Sequence, residues 1–206
     1  MIIVVDYGAS NMKSVLRACR ATGADAQATS DPDTVRRAER LIVPGVGHFA
    51  PARIRLSETG LDAAISDVAR AGRPVLGICL GLQLLLKESD EAPGQPGLGL
   101  LPGRVKEFTT DLPVPHVGWA AVTVTPRGRA HPVLGRAVTG SEGYYYHVHS
   151  YHPDRVDEGA TLGVADYGGP FATIVGCDTV MGVQFHPEKS QAAGLALLSA
   201  FAAWRP

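Results

Sequence analysis

The chain has 206 residues, of which 45% are hydrophobic and 19% charged, a composition typical of a globular protein and not of a disordered one. Nineteen basic residues against twenty acidic ones give a formal charge of -1, which argues against binding nucleic acid through bulk attraction to phosphate. Three cysteines without CxxC or zinc-type spacing exclude a disulfide scaffold and favour a reducing compartment. The length predicts one domain over residues 1–206.

No targeting or membrane segment is apparent. The N-terminus is apolar only as far as Val5, and its first basic residue is Lys13, whereas a signal peptide has its charge first and a longer apolar stretch after it. The longest apolar run, at 75–86, is interrupted by Gln83 and is too short to span a bilayer. We therefore expect a cytoplasmic protein that binds neither membrane nor nucleic acid.

The first half of the chain alternates buried strands with amphipathic helices. Continuous apolar runs predict strands at 2–5, 41–43 and 75–78, buried on both faces. Helical spacing of apolar residues predicts helices at 11–22 and 61–71. Strand and helix in alternation indicate βαβ units and a mainly parallel sheet with helices on both faces.

The second half reads differently. Short strand-like segments separated by turn residues are predicted at 104–108, 121–124, 144–148, 162–165, 172–175 and 180–185. They indicate antiparallel additions to the sheet, and an Ala/Leu-rich helix is predicted at 191–204. The predicted fold class is α/β, a three-layer α/β/α sandwich around a mostly parallel, mixed sheet.

The strongest chemical signal is the segment VLGICLGLQLLL at 75–86. A buried strand runs into Gly77-x-Cys79-x-Gly81 and a helix follows at once, a sulfur version of the nucleophile elbow. A cysteine at a helix N-terminus is favoured as a thiolate, and the free amides there can hold an oxyanion. On these residues alone, a buried structural cysteine remains the alternative.

A second segment supplies the groups that such a nucleophile needs. The sequence GVQFHPE at 182–188 ends a strand with His186 and, two residues later, Glu188. A thiol needs a base within reach, and the base needs a third group to fix its tautomer. A solvated turn is the alternative for His-Pro-Glu by itself, but together with the elbow it predicts a Cys-His-Glu site beyond the carboxyl ends of the strands.

GICLGLQ followed by QFHPEKS resembles the class I glutamine amidotransferases. The segments DYGASN, VPGVGHF, PHVGW and HSY, with Lys189 after HPE, are similar to the glutaminase subunits of imidazole glycerol phosphate synthase in histidine biosynthesis. The resemblance runs from residue 2 to about residue 200. It implies hydrolysis of L-glutamine to glutamate and ammonia, with the ammonia channelled to a (β/α)8-barrel cyclase subunit in a heterodimer. No cofactor or metal is implied.

The resemblance also implies roles for single residues. Cys79 would form a thioester, His186 would move protons and Glu188 would orient His186. The amides of Leu80 and Val46 would form the oxyanion hole. Substrate contacts would come from Gly45, Gly47, Gln83, His149, Ser150 and Tyr151. The face that docks the partner would include Asn11, Trp119 and Lys189.

Some positions depart from the family pattern or invite another interpretation. The departures are Ser10, Leu82, Ala120 and His147, and none of them touches the expected triad. Three histidines in YHVHSYH could suggest a metal site, but the alternation equally suits one exposed face of a strand and no Cys or carboxylate completes a ligand set. Cys19 and Cys177 are expected to be inert.

Three other functions remain open at this point. The first is the glutaminase subunit of another synthase, for anthranilate, aminodeoxychorismate or pyridoxal phosphate. The second is a stand-alone γ-glutamyl hydrolase or peptidase, which would act fully without a partner. The third is a non-catalytic binding subunit with a vestigial site.

Overall fold

A mixed nine-stranded sheet forms the centre of the computed structural model, which describes residues 1–8 and 11–206. The strands are β1 (Ile2–Val5), β2 (Ala26–Thr29), β3 (Arg40–Val43), β4 (Val75–Ile78), β5 (Arg104–Glu107), β6 (His116–Val124), β7 (Glu142–His149), β8 (Tyr151–Asp154), β9 (Thr161–Asp166), β10 (Pro170–Cys177) and β11 (Val180–Val183). The helices are α1 (Met12–Ala21), α2 (Pro32–Arg36), α3 (Phe49–Glu58), α4 (Leu61–Arg70), α5 (Leu80–Leu85), α6 (Pro126–Ala130), α7 (Leu134–Ala137) and α8 (Gln191–Ala203).

The sheet has a parallel half and an antiparallel half. Its strand order is β2-β1-β3-β4-β11-β10-β9-β6-β7, and the pairs from β2 to β11 are parallel. The pairs from β11 to β7 are antiparallel, while β5 and β8 form a separate two-stranded sheet. Strand β11 therefore lies at the boundary, parallel to β4 on one side and antiparallel to β10 on the other.

Helices cover both faces of this sheet, as the predicted three-layer sandwich requires. One core contains the buried residues of α1 and α8, including Val15, Cys19, Leu197 and Phe201. The opposite core contains those of α2 to α5, with Leu61, Ile65 and Val68 of α4 among them. Strands β1 and β4, and β3 from Leu41 onward, are apolar because both of their faces are buried.

The structure adds elements that the sequence patterns did not predict, namely β2, α2, α3, α6, α7 and β8. It also extends several predicted strands: β6, for example, begins at His116, and β7 ends at His149. Strand β11 is shorter than predicted and ends at Val183, so that the next residues are free to turn into the site. Ser10 lies outside the described residues.

The interpretation of YHVHSYH as an exposed strand face was wrong. His147 is fully buried: Nδ1 lies 3.0 Å from the Tyr145 carbonyl oxygen and Nε2 3.0 Å from the Thr173 hydroxyl. His149 is also buried and packs against Phe108 and Phe171. The face is covered because Phe108, which follows β5, packs on His149, and Phe171 of β10 packs on both histidines. Burial lowers the pKa of His147 to about 3.

Within the described ranges, no helix is long and apolar enough to cross a membrane.

Candidate active site

Cys79 occupies a strained turn between β4 and α5. Its backbone has φ 52° and ψ -110°, a conformation that L residues rarely adopt and that is typical of a nucleophile elbow. Its amide donates to the Val183 carbonyl oxygen at 2.8 Å, which ties the turn to the end of β11. Gly81 allows the turn to pack closely, because a Cβ there would overlap the Val43 carbonyl oxygen.

The loop after β3 packs directly on this turn. The Tyr7 hydroxyl donates to the Pro44 carbonyl oxygen at 2.6 Å, and a Cβ on Gly45 would collide with Tyr7 and Leu80. Burial, with a smaller contribution from nearby Cys79, raises the pKa of Tyr7 above its ordinary value. Tyr7 is therefore a neutral donor that holds the loop against the elbow.

His186 and Glu188 form a hydrogen-bonded pair just beyond β11. The His186 Nδ1 lies 2.7 Å from Glu188 Oε1, and the two side chains are 1% and 0% exposed. The 3-10 turn Pro187–Lys189 places the Glu188 carboxylate next to Nδ1 of the His186 ring. The side-chain NH2 group of Asn11 donates to the same carboxylate oxygen, so two donors converge on Glu188 Oε1.

The charge state of His186 follows from this pairing. Burial alone disfavours the imidazolium, but contacts with Cys79 and Glu188 outweigh it and raise the pKa of His186 to about 10. Because Nδ1 faces Glu188, Nε2 is the ring nitrogen left for chemistry. It has no conventional hydrogen-bond partner among residues 1–8 and 11–206, although the Cys79 thiol lies close enough to affect the ring.

A cavity of about 530 Å³ lies at this edge of the sheet. The carboxyl ends of the parallel strands meet at this edge, which is where ligands bind in open α/β sheets. The cavity brings together most of the residues predicted from the sequence, namely Asn11, Val46, Gly47, Cys79, Leu80, Gln83, His149, Ser150, Tyr151, His186 and Lys189. Glu188 lies behind His186 and does not line it.

Two predicted residues lie elsewhere. Gly45 is packed behind the cavity wall, so its position concerns the shape of the loop. Trp119 lies on β6 outside the cavity, is 47% exposed, and has its ring 6.2 Å from that of Tyr146. The Lys189 ammonium lies 5.7 Å from the centre of the same Tyr146 ring, which connects the cavity rim to this outer surface.

The sequence analysis missed Glu91, which also lines the cavity. Its Oε1 lies 2.8 Å from His48 Nδ1, and its Oε2 accepts from the Phe49 amide at 3.1 Å, at the start of α3. Among the described residues that line the cavity, Glu91 is the one with a carboxylate side chain, and only 14% of that side chain is exposed. No local motif marks Glu91, because its partners are more than forty positions away in the chain.

In the part of the chain that the structure describes, no group of three or more His, Cys, Asp or Glu side chains is arranged to hold a metal ion. Cys19 lies on the buried face of α1. Burial, with a smaller contribution from the Glu188 carboxylate, raises the pKa of its thiol to about 11. Cys177 is exposed beside Asp178, and its pKa is raised by partial burial and by that carboxylate. Neither thiol lines the cavity.

Comparison with known proteins agrees with this geometry. The family model for glutamine amidotransferase class-I matches residues 3–203. A solved structure described as a glutamine amidotransferase has a TM-score of 0.77 at 20% identity, covering 99% of this chain and 100% of that one. PurLQS from Thermotoga maritima gives 0.76 at 19% identity, covering 97% and 96%. The chain belongs to the class-I glutamine amidotransferase family.

Within that family, two similar proteins share one name. A protein of Symbiobacterium thermophilum, imidazole glycerol phosphate synthase subunit HisH, is 44% identical over 96% of this chain and 91% of its own length. A protein of the same name from Salinibacter ruber is 43% identical over 98% of this chain and 94% of its own.

Proposed function

We propose that this chain is the glutamine-hydrolysing subunit of an imidazole glycerol phosphate synthase. It releases ammonia from L-glutamine and passes it to a cyclase subunit. The names of its relatives support a synthase subunit that works with a partner, and the resemblance of its motifs supports a cyclase as that partner. The observation that carries the proposal is the convergence of Cys79 with the buried His186–Glu188 pair at one cavity. The whole chain, residues 1–206, is proposed to act as one domain.

In the proposed reaction, Cys79 gives its thiol proton to His186 Nε2, and the resulting thiolate attacks the side-chain amide carbon of glutamine, forming a thioester as the carbon–nitrogen bond breaks. His186 holds a proton at neutral pH because its pKa is raised to about 10, and it gives that proton from Nε2 to the departing ammonia. The neutral imidazole then takes a proton from water, whose oxygen attacks the thioester. Glutamate leaves, and the proton and the sulfur return to their starting state.

The negative oxygen of each tetrahedral intermediate needs donors in a preorganised position. The Leu80 amide follows the nucleophile directly, and the Val46 amide belongs to the loop held by Tyr7. We assign both as oxyanion donors, the first on the elbow and the second on the loop. Gly47, with φ 104°, allows that loop to turn beside Val46.

Recognition of free glutamine requires an acid for the α-ammonium and donors for the α-carboxylate. Glu91 suits the first requirement because it is a largely buried carboxylate in the cavity wall. Ser150 and Tyr151 suit the second because they line the same cavity, and Gln83 and His149 complete the pocket. This arrangement selects a free amino acid, since a peptide bond would remove one of the two charges.

The ammonia must reach an acceptor without release, because ammonia in bulk water is protonated and diluted. The docking face proposed for the (β/α)8-barrel cyclase includes Asn11, Trp119 and Lys189. Its support is the exposed apolar surface of the adjoining strands, formed by Val117, Trp119 and Tyr144. Lys189 and Asn11 lie where that surface meets the cavity.

The test is reconstitution with the cyclase subunit. Wild-type chain and cyclase are expected to form imidazole glycerol phosphate with either glutamine or ammonia as nitrogen source. Cys79→Ala is expected to abolish the glutamine-dependent reaction and to retain the ammonia-dependent one, because only the nucleophile is lost. Full hydrolysis without any partner, or glutamine dependence conferred on a different synthase, would contradict the proposed function.

A further inference from the structure

Gln184 is a fully buried polar residue that directly contacts the sulfur of Cys79. It follows directly after β11, and its backbone N–H donates to the Thr173 carbonyl oxygen at 2.8 Å. Its side-chain Nε2 lies 3.6 Å from Cys79 Sγ, within the range of a hydrogen bond to sulfur. The triad mechanism described above makes no use of this contact.

The orientation of the Gln184 carboxamide is determined by its neighbour Gln83. The Gln83 Nε2 donates to the Tyr151 carbonyl oxygen at 3.2 Å and to Gln184 Oε1 at 3.2 Å. Because the carbonyl can only accept, this end of Gln83 is its NH2 group, and Gln184 must turn its oxygen towards it. The NH2 group of Gln184 is thereby directed at the sulfur.

Such an arrangement distinguishes the two charge states of the cysteine. A neutral thiol is a weak acceptor, whereas a thiolate is a strong one, and a donor to the charged form favours that form. A buried carboxamide needs hydrogen-bond partners for its polar atoms, and without them its burial costs free energy. If Gln184 only filled space, an apolar side chain would fill the same space at a lower cost in folding free energy. Here those partners are a fixed amide on one side and the sulfur on the other.

We propose that Gln184 is a further catalytic residue, whose N–H hydrogen bond stabilises the Cys79 thiolate and holds its sulfur facing the cavity. Gln83 is the positioning residue that keeps the donor end of Gln184 on the sulfur. The inference rests on the proposed role of Cys79 as nucleophile. It gives the sulfur a second donor besides the His186 imidazolium.

The test is the pH dependence of Cys79 alkylation by iodoacetamide, followed peptide by peptide with mass spectrometry. In Gln184→Met, which keeps the shape and removes the donor, the midpoint for Cys79 is expected to rise by about one pH unit, with a roughly tenfold lower rate at neutral pH. Gln83→Met is expected to give a smaller shift in the same direction. The exposed Cys177 reports in the same samples and is expected to be unchanged.

Thr173→Val is the matched control. It removes a buried hydroxyl partner of His147 on the neighbouring strand and leaves the sulfur contact intact, so its Cys79 midpoint is expected to stay at the wild-type value. A wild-type midpoint in Gln184→Met would overturn the inference. If that variant does not fold by circular dichroism, a wild-type midpoint in Gln83→Met overturns it instead.

The failure of the inference can be told apart from the failure of the proposed function. A glutamine-like electrophile is expected to label wild-type chain at Cys79. Absence of that label would count against Cys79 as the nucleophile. Labelling of wild type with an unmoved alkylation profile in both glutamine variants would remove only the role of Gln184.

Discussion

Two histidine–glutamate pairs border the same cavity with nearly the same geometry. The Nδ1 to Oε1 distance is 2.7 Å in His186–Glu188 and 2.8 Å in His48–Glu91. Their surroundings differ: the first pair is almost completely buried, whereas 83% of the His48 side chain is exposed. Hydrogen-bond geometry alone therefore does not distinguish them.

The two pairs differ in how far water screens the attraction between imidazolium and carboxylate. Around His186, exclusion of water leaves Glu188 and Cys79 as the only strong influences on the ring among the described residues, and its pKa rises to about 10. Around His48, solvent screens the attraction, and an exposed pair of this kind contributes little. In the second pair, the group proposed to bind substrate is the Glu91 carboxylate, and only 14% of that side chain is exposed.

The largest effect is expected from Glu188→Gln. The amide removes the negative charge that stabilises the His186 imidazolium and fixes its tautomer, so kcat for glutamine hydrolysis is expected to fall roughly 1,000- to 10,000-fold. Steady-state kinetics with the cyclase present measures it, and ammonia-dependent synthesis serves as the control. A loss confined to KM would mean that the buried pair orients substrate and not the base.

The second prediction concerns stability against pH. Because the pKa of His186 is raised from 6.5 to about 10, the folded chain holds a proton that the unfolded chain has lost between those values. This contribution is fully present below pH 6.5, and the free energy of unfolding is expected to decrease by up to a few kcal/mol as the pH rises to 10. Denaturant unfolding measures it, and Glu188→Gln is expected to flatten the slope.

Glu91→Gln is expected to have a smaller effect of another kind. The variant can still accept a hydrogen bond from the Phe49 amide, but it loses the charge proposed to bind the α-ammonium of glutamine. We expect KM for glutamine to rise roughly 10- to 100-fold with little change in kcat. A fall in kcat with an unchanged KM would show that this pair shares the role of the buried one.

The smallest effect is expected from His48→Ala. Its ring is exposed and its ion pair is screened, so thermal unfolding should indicate a change within about 0.5 kcal/mol. Glutamine turnover is expected to stay close to that of wild type. A loss comparable to that of Glu188→Gln would contradict the distinction between the two pairs.

The sequence was sufficient for the parts of the site that are local in the chain. Gly77-x-Cys79-x-Gly81 predicts the elbow because a tight strand-to-helix turn needs those glycines, and His-Pro-Glu places base and carboxylate two residues apart. The strands buried on both faces were also predicted, since their apolar runs are continuous.

What could not be predicted depends on contacts between distant segments. The orientation of Gln184 is decided by Gln83, and the position of Glu91 by the start of α3. His147 and His149 alternate with smaller residues as an exposed strand would, yet neighbouring strands cover them. Strand β2, with the sequence AQAT, is too weakly apolar to be recognised before β1 pairs with it.

The order of strands along the chain has a consequence for biosynthesis. Strand β11, which leads into the segment with His186, is the last strand of the described sheet to be made, and it pairs with β4, which was made long before. A nascent polypeptide therefore displays its cysteine on the ribosome without an imidazole beside it. Translation products truncated before His186 would lack the proposed proton donor, and we expect them not to hydrolyse glutamine.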